Sequence, residues 1–274
     1  MPAENLRALD SHFKFGENWA SYAAGIDEEA IAEAERGLVR LVGREVLRGR
    51  TFLDIGCGSG LHALAALRLG AARVLAVDID PRSVETAAEL LGRLAPHVGW
   101  EAKQISVFDL DASTHGTFDV VYSWGVLHHT GAMEAAVRRA ADLVAGRGLF
   151  VFALYRKTRL DPFWIAEKRW YTSAGPRAQK LAESVYTQLL RLRLAAAGRS
   201  FAAYEASKKT ERGMDLAHDV RDWLGGYPYE AISPTEVVSL MSDLGFRGVR
   251  SFAHEGRPIG LFGSGCDEYV YQRA

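Results

Sequence analysis

The sequence is poor in cysteine, has almost no net charge and contains no long apolar run. Cys57 and Cys266 are its only cysteines, too few for a disulfide framework, which predicts a reducing compartment. The net charge of −1 gives no general attraction to nucleic acid or to a membrane surface. No apolar stretch approaches the ~20 residues that a membrane-spanning helix needs, and the opening residues MPAE lack a signal-peptide pattern. We therefore expect a cytoplasmic protein without a membrane span.

A glycine-rich loop follows the first strongly apolar segment. Residues 51–60 read TFLDIGCGSG, and the apolar start of this stretch predicts a buried strand. Residues 61–67, LHALAAL, predict a helix directly after the loop. Gly56, Gly58 and Gly60 allow a tight turn, a close approach of the backbone to a ligand and close packing of helix on strand. This arrangement is typical of sites that bind nucleotide-like cofactors.

Acidic residues on both sides of the loop indicate which cofactor it suits. A dinucleotide-binding loop has the spacing G-x-G-x-x-G, whereas this loop has G-x-G-x-G. Asp54 lies two residues before the first glycine, where it would repel a diphosphate and attract a cation. Asp78 ends the next predicted strand and can accept hydrogen bonds from both hydroxyls of a ribose. The combination favours S-adenosylmethionine, which lacks phosphate and carries an ammonium and a sulfonium charge.

Three segments resemble the motifs of class I S-adenosylmethionine-dependent methyltransferases. They are LDIGCGSG at 53–60, VLAVDID at 74–80 and FDVVYSWGVLHHT at 118–130, which are similar to the first, second and fourth motifs of that family. The likeness covers residues 50–155 well and 232–274 loosely, and the core is similar to that of ubiquinone-pathway methylases. The resemblance implies an enzyme that uses S-adenosylmethionine and releases S-adenosylhomocysteine.

The resemblance also implies positions for the parts of the cofactor. Asp54 and the three glycines would surround the methionine part, Asp78 would bind the ribose, and Ile79 would pack on the adenine. The acidic residue that the family usually has after the third strand is replaced here by Ser106. The remaining implied contacts, made through backbone and ring atoms, are those of Ser106, Val107, Ser123 and Trp124.

Strand and helix signals alternate through the rest of the core. Strands are predicted at 99–104, 118–123 and 148–154, with a helix at 132–145 between the last two. Repeated βα units predict a parallel, doubly wound sheet with ligand sites at the carboxyl ends of its strands. After Ser233 and Pro234, a helix and two strands complete the sheet. We expect an α/β fold with a Rossmann-like, mostly parallel seven-stranded sheet, an antiparallel edge hairpin and a helical cap insertion.

The pattern divides the chain into three parts. Residues 1–49 form an N-terminal helical arm, residues 50–155 and 232–274 form the methyltransferase core, and residues 156–231 form the helical cap. The clearest cap helix begins at Pro176 and ends before Gly198. Its apolar positions predict one buried face, which consists of Leu181, Val185, Leu189 and Leu192.

The cap is also basic. Between residues 156 and 222 there are 14 Lys and Arg against 8 Asp and Glu, a net charge of +6 against −1 for the whole chain. This charge is typical of a solvated helical surface, and it would equally suit a cap that favours an anionic substrate.

Two histidines follow the fourth strand, at the end of the sheet where a methyl group would be transferred. Such a transfer needs an aligned nucleophile, exclusion of water and, for a hydroxyl acceptor, a base. His128 or His129 can supply the base near neutral pH, with a slight preference for His128, or the pair can simply fix the turn. Some ubiquinone-pathway methylases bind a metal here through Glu-x-x-Glu-His. This chain has Gly125 and His128 in place of the two glutamates, so we expect no metal.

Two aromatic pairs outside the motifs are candidates for contacts with the substrate. Trp19 and Tyr22, in the cluster at 13–22, either pack the arm on the core or close a lid over the cofactor or substrate. Trp223 and Tyr227, in the segment that joins the cap to the core, either face the substrate or belong to a hinge.

The function that these features predict is methyl transfer to a small molecule. An oxygen acceptor is favoured, nitrogen or carbon is possible, and the acceptor could be an anionic or a planar aromatic metabolite. The alternatives are an RNA or protein methyltransferase that docks through the basic cap and a binding protein that does not catalyse. Motifs of the type Asn/Asp-Pro-Pro-Tyr/Phe, typical of base-amino methylation, are absent after the fourth strand, so we do not expect nucleic acid as a partner. The sequence predicts no oligomeric state.

Overall fold

The computed structural model describes residues 13, 15–96, 99–212, 216–253, 259–263 and 265–274, with the backbone alone for 207–212. The strands are β1 (Thr51–Ile55), β2 (Arg73–Asp78), β3 (Gly99–Gln104), β4 (Phe118–Trp124), β5 (Val144–Tyr155), β6 (Phe246–Phe252) and β7 (Cys266–Arg273). They form a seven-stranded sheet in the order β3-β2-β1-β4-β5-β7-β6. Strands β1 to β5 pair in parallel, and β7 is antiparallel to both of its neighbours. The predicted mostly parallel sheet with an antiparallel edge is confirmed.

Helices cover both faces of this sheet and form the cap. They are α1 (Phe15–Ala23), α2 (Glu28–Val42), α3 (Leu61–Arg68), α4 (Pro81–Leu94), α5 (Ala112–His115), α6 (Met133–Asp142), α7 (Asp161–Ser173), α8 (Pro176–Ala196), α9 (Phe201–Arg212), α10 (Leu216–Gly225) and α11 (Pro234–Asp243). No helix of the described residues is both long and apolar enough to cross a bilayer.

Alternation of side chains along the strands gives the sheet an apolar layer on each face. In β1, Phe52 belongs to the layer that packs against α2, α3 and α4, whereas Leu53 belongs to the layer under α6 and α11. Both side chains are fully buried. A strand that is covered on both faces needs apolar residues at successive positions, as β1 and β2 have. The sheet therefore holds the loops at its carboxyl edge on a rigid base.

The cap has a core of its own, built around a buried lysine. Lys168 of α7 is fully buried, and its ammonium group lies 3.6 Å from the centroid of the Trp223 ring of α10. The same ammonium donates a hydrogen bond to the carbonyl oxygen of Trp223. Burial lowers the pKa of Lys168 and raises the pKa of the neighbouring Glu167. This contact joins α7 to α10, the helix that leads back to the core.

The prediction for the exposed and buried sides of α8 is wrong. Leu181, Val185, Leu189 and Leu192 are between 50% and 67% exposed, and the residues of α8 that are buried are Leu190 and Leu194. The apolar residues of this helix occupy more than one side, and its contacts with α7, α9 and α10 use the side opposite to the predicted one. Periodicity shows that a helix has an apolar side but does not show which neighbours are present to cover it.

The N-terminal arm packs over the carboxyl edge of the sheet. The backbone amide of Gly16, in α1, donates a hydrogen bond to Asp80 Oδ2 at 3.0 Å. A side chain at Gly16 would overlap the Asp80 carboxylate, so this close contact requires glycine. Helix α1 also contacts α10, which ties the arm to the cap. The division of the chain into arm, core and cap remains a prediction.

Candidate active site

The glycine loop turns the chain sharply between β1 and α3. Gly56, Gly58 and Gly60 have φ values of 73°, 52° and 79°, a region that side chains disfavour. The backbone amides of Gly56 and Cys57 donate to the Val77 carbonyl oxygen at 2.8 and 3.0 Å. The loop is thereby fixed against the end of β2, and its surface faces the carboxyl edge of the sheet.

The three glycines are needed for different reasons. A Cβ at Gly58 would lie 3.0 Å from the indole of Trp19, so α1 rests directly on the loop. A Cβ at Gly60 would lie 2.9 Å from both Cα and Cβ of Ala87, so this glycine allows α3 and α4 to approach. Gly60 therefore serves helix packing, whereas Gly56 and Gly58 form part of cavity walls.

Asp54 is a buried carboxylate beside the loop. Its side chain is 3% exposed, and its Oδ2 has no hydrogen-bond partner among the described residues. Burial and the nearby charge of Asp78 raise the pKa of Asp54 to about 7. An unpaired carboxylate oxygen in a cavity wall is costly, and a ligand with a positive charge would satisfy it.

Asp78 lies at the end of β2 and is held by two backbone groups. Its Oδ2 accepts a hydrogen bond from the Gly58 amide and its Oδ1 accepts one from the Asp80 amide, both at 3.0 Å. Burial raises the pKa of Asp78 to about 6. Each carboxylate oxygen has a further lone pair, so the fixed group can accept two more hydrogen bonds from a ligand.

Two cavities meet at the loop. Their shared wall consists of Trp19, Gly56, Trp124, Gly125 and Asp222. Including space that opens to solvent, the first cavity measures about 820 Å³ and the second about 1230 Å³. A ligand that passes over Gly56 can therefore occupy both.

The cavities differ in chemistry. The first is bounded mainly by apolar and uncharged residues, namely Phe15, Ile55, Ile79, Ile105, Ser106, Val107, Phe108, Val126, His129 and Thr130, together with Asp78. The second contains Asp54, Gly58, Tyr22, Tyr122, Tyr155, His62 and the charged groups Glu33, Arg40 and Glu268. Burial lowers the pKa of His62 to about 4, so this imidazole is neutral at pH 7.

His129 faces the first cavity with a defined tautomer. Its Nδ1 lies 2.7 Å from the carbonyl oxygen of Pro228, which can only accept, so Nδ1 carries the proton. The lone pair of the neutral ring is then on Nε2. The Phe15 ring packs against the imidazole with a centroid distance of 5.3 Å. With Nδ1 protonated, Nε2 is the ring atom that can accept a proton.

His128 is directed away from both cavities. It is fully buried, its Nδ1 accepts a hydrogen bond from the Tyr155 amide at 3.2 Å, and its ring lies 3.9 Å from the Tyr155 ring. Its Nε2 has no partner in the part of the chain that the structure describes. Burial and the neighbouring His129 hold the pKa of His128 well below 6.5. These contacts fit a role in holding β5 against the histidine turn.

Trp124 is held between the two cavities by a charged pair. Its Nε1–H donates to Glu268 Oε1 at 2.9 Å. Both carboxylate oxygens of Glu268 accept from one nitrogen, Arg40 Nη2, at 2.8 and 2.7 Å. These contacts hold the Glu268 carboxylate, so the indole has a defined position beside Gly125.

Other residues that the sequence suggested are not brought to a cavity. Ser123 is buried in the sheet, where its hydroxyl donates to the Ile55 carbonyl oxygen at 3.0 Å. Trp223 packs on Lys168, and the Tyr227 carbonyl oxygen accepts a hydrogen bond from the Phe13 amide at 3.1 Å. Ser123, Trp223 and Tyr227 all lie outside the walls of both cavities.

The sequence reasoning missed Asp222, Tyr155 and Phe15. Tyr155 ends β5, so the rule that sites lie at carboxyl ends of strands could have found it. Asp222 reaches both cavities because α10 packs against α1 and the cap helices, and no local signal marks it. In the described part of the chain, no three His, Cys, Asp or Glu side chains meet as a metal site.

A family model described as a methyltransferase domain matches residues 53–150. The chain contains a methyltransferase domain over these residues. S-adenosylmethionine is the cofactor of this domain, and the residues that line the two cavities fit it. The unpaired oxygen of Asp54 suits an ammonium group, and the fixed carboxylate of Asp78 suits the ribose hydroxyls. The apolar first cavity suits the adenine.

Relatives of known name match part of this chain, and their names give different methyl acceptors. Ubiquinone biosynthesis O-methyltransferase of Neisseria meningitidis is 36% identical over 115 residues, which are 42% of this chain and 48% of that protein. Ribosomal protein L11 methyltransferase of Thermotoga maritima is 44% identical over 77 residues, 27% of this chain and 26% of that protein. The chain thus spans half or less of these relatives.

The methyltransferase core is also similar to solved structures. Magnesium protoporphyrin IX methyltransferase of Synechocystis PCC 6803, solved with bound S-adenosylhomocysteine, has a TM-score of 0.54 to this chain. The match covers 90% of this chain and 84% of that one at 16% identity, which supports the fold alone.

Proposed function

We propose that the protein transfers a methyl group from S-adenosylmethionine to a hydroxyl group of a small molecule. The observation that carries the proposal is the meeting of the two cavities at Gly56 and Trp124, with His129 in the wall of the first. When bound, S-adenosylmethionine supplies an electrophilic methyl group on a sulfonium. The residues of this chain then bind it, exclude water and remove the proton of the acceptor.

Each residue has a part in this scheme. Asp54 pairs with the ammonium of the methionine part, and Asp78 accepts hydrogen bonds from the ribose. Ile79, with backbone groups of Ser106 and Val107, contacts the adenine. Trp19, which rests on Gly58, and Phe15 keep water from the site.

His129 is the proposed base. Its Nε2 takes the hydroxyl proton while the acceptor oxygen forms its bond to the methyl carbon and the carbon–sulfur bond breaks. The charge on sulfur is neutralised and the positive charge passes to the imidazole. The Pro228 carbonyl oxygen, on Nδ1–H, orients the ring and stabilises the imidazolium. We prefer His129 to His128 because only His129 lines a cavity.

The charges of the described walls argue against an anionic acceptor. Besides the two motif carboxylates, they carry Glu33, Asp222 and Glu268 against the single cation Arg40, which is already paired with Glu268. The net positive charge of the cap is therefore not found among the residues that line the cavities. An uncharged hydroxyl compound, such as a planar phenol, fits these walls better.

Protein methylation has less support. The match to the ribosomal protein L11 methyltransferase covers 27% of this chain. The cofactor motifs recur in methyltransferases whose acceptors differ, so a match of this length is no guide to the acceptor.

The test combines cofactor binding with an acceptor screen. Isothermal titration calorimetry should detect S-adenosylhomocysteine binding to the wild-type chain. Mass spectrometry of reactions with neutral and anionic phenols should then show methyl transfer to the neutral ones first. Binding without transfer to any small molecule, together with methylation of a protein in a cell extract, would favour the protein alternative.

A further inference from the structure

Helix α8 carries a line of exposed apolar side chains. Leu181, Val185, Leu189 and Leu192 are 65%, 50%, 50% and 67% exposed. Their spacing of four, four and three residues places them on one side of the helix, over ~16 Å at 1.5 Å per residue. We call these four residues the α8 stripe. The opposite side of α8, with Leu190 and Leu194, is buried in the cap.

The stripe is not explained by the active site. None of its residues lines either cavity. Exposed apolar residues are common singly, but several large ones in a row on one helix mark a surface that binds something. All four side chains are aliphatic, so they would pack against a soft apolar phase as readily as against a protein.

The charges on α8 indicate the kind of partner. Its basic residues Arg177, Lys180, Arg191 and Arg193 are all exposed, although the guanidinium groups of Arg191 and Arg193 also lie over the rings of Phe201 and Phe262. Its one acidic residue, Glu183, accepts a hydrogen bond from the Tyr171 hydroxyl and so faces the cap. The exposed charged residues of α8 are therefore all basic. A partner with negative charge around an apolar interior complements this surface.

Two classes of partner are disfavoured by this charge. In a second copy of the chain, an antiparallel α8 would bring four basic residues against four identical ones, with no exposed carboxylate of α8 between them. Like charges at such a contact are repulsive. Nucleic acid would match the charge but leaves the four apolar side chains in water.

We propose that α8 is an interfacial helix that binds the surface of an anionic phospholipid membrane. The stripe enters the boundary between headgroups and acyl chains, and the Arg and Lys side chains reach the lipid phosphates. The helix lies in the plane of the membrane and does not cross it. Membrane binding itself does not depend on methyl transfer.

The experiment is cosedimentation of the full chain with two kinds of vesicle. One contains phosphatidylcholine alone, and the other contains phosphatidylcholine with a quarter of phosphatidylglycerol. The wild-type chain should sediment with the anionic vesicles and much less with the neutral ones, and high salt should weaken the binding because the attraction of charges is screened. The double variant Leu181→Asp/Leu189→Asp should lower the partition coefficient about tenfold or more, since two buried leucines are lost and two negative charges are added.

A control variant tests whether the loss of vesicle binding is specific to the α8 stripe or follows from replacing any exposed apolar residue by Asp. Val238→Asp changes a residue of α11 that is 59% exposed and lies outside the cap, and it should bind vesicles as the wild type does. Unchanged affinity for S-adenosylhomocysteine and an unchanged circular dichroism spectrum show that each variant is folded. The double variant Arg177→Gln/Lys180→Gln removes two of the four cations of α8 and should weaken the preference for anionic vesicles while keeping binding to both.

Two results would overturn the proposal. One is equal sedimentation of the wild type and the Leu181→Asp/Leu189→Asp variant with anionic vesicles. The other is a wild-type dimer, seen by analytical ultracentrifugation without lipid, that the same variant converts to a monomer. The second result would assign the stripe to a second copy of the chain. Neither result depends on cofactor binding, so a failure of the membrane proposal can be told apart from a failure of the proposed methyl transfer.

Discussion

The Nδ1–H of His129 donates a hydrogen bond to the carbonyl oxygen of Pro228 at 2.7 Å, and this contact determines the chemistry of the ring. It leaves the lone pair on Nε2 and orients an imidazole that lines the first cavity. Its neighbour His128 instead accepts a backbone hydrogen bond and lies behind the wall. Two adjacent histidines of one motif therefore have different parts in the site.

Replacing each histidine separates these parts. We expect His129→Gln to lower kcat by about 10²-fold or more, as loss of a general base does, with S-adenosylhomocysteine affinity changed little. We expect His128→Gln to lower the melting temperature with a smaller effect on kcat, because His128 packs on Tyr155. Steady-state kinetics on the acceptor found by the screen, with calorimetry, checks both. Equal kcat for the wild type and His129→Gln would remove His129 as the base.

A substitution at Gly58 tests the contact between the arm and the loop. Gly58→Ala puts a methyl group 3.0 Å from the Trp19 indole at a φ of 52°. The matched control is Gly49→Ala, with a φ of 70° and nothing within 4 Å of the added Cβ. Both variants should lose ~1 kcal/mol of stability because of their positive φ. Affinity for S-adenosylhomocysteine should fall about tenfold, or ~1.4 kcal/mol, for Gly58→Ala alone.

The raised pKa of Asp54 predicts opposite effects on stability and binding. Its pKa is about 7 in the folded chain against 3.8 for the unperturbed carboxyl, so the folded chain holds a proton between these pH values that the unfolded chain has lost. The stability that this carboxyl contributes is therefore present below about pH 4 and is lost as the pH rises to 7. Asp54→Asn removes this pH-dependent loss. The free energy of unfolding of the variant, relative to that of the wild type, should therefore be ~2–4 kcal/mol higher at pH 8 than at pH 4.

The same substitution should weaken the cofactor site. Only the ionised carboxylate pairs with an ammonium, so wild-type affinity for S-adenosylhomocysteine should rise between pH 6 and 8, as the carboxyl ionises. Asp54→Asn should bind more weakly, and the pH dependence that remains should be that of Asp78, whose pKa is about 6. Urea unfolding and calorimetry at the two pH values give both quantities. A variant that is less stable at pH 8 and binds as tightly as the wild type would contradict this account of Asp54.

Local pattern was enough to predict the sheet and its cofactor loop. Strand β3 (Gly99–Gln104) has the predicted bounds, and Asp54 and Asp78 lie where the spacing of the first two motifs puts them. These features depend on short-range rules: buried strands are apolar, tight turns need glycine, and sites form at carboxyl ends. Five of the predicted site residues, Gly60, Ser123, His128, Trp223 and Tyr227, line neither cavity, because their positions depend on packing between distant elements.

The differences between the predicted and the observed positions of these residues have a common physical origin. Ser123 follows the motif spacing, yet the alternation of β4 points its hydroxyl to the Ile55 carbonyl oxygen inside the sheet. Asp222 carries no motif, yet the packing of α10 brings it to both cavities. The side of α8 that is buried was likewise decided by which helices surround it. Long-range packing is not encoded in local periodicity, so sequence reasoning identified the cofactor but not all of the residues that line the two cavities.

The most direct test of the central claim is calorimetric titration of S-adenosylhomocysteine into the wild type and Asp78→Asn. The amide side chain of this variant would keep one acceptor oxygen but lose the charge and one of the two oxygens that face the ribose. We expect saturable one-to-one binding to the wild type and an affinity about 10- to 100-fold lower for the variant, since hydrogen bonds to a charged acceptor contribute ~1.5–3 kcal/mol. No binding to the wild type, or equal binding to both chains, would contradict the assignment of these cavities to the methyl donor.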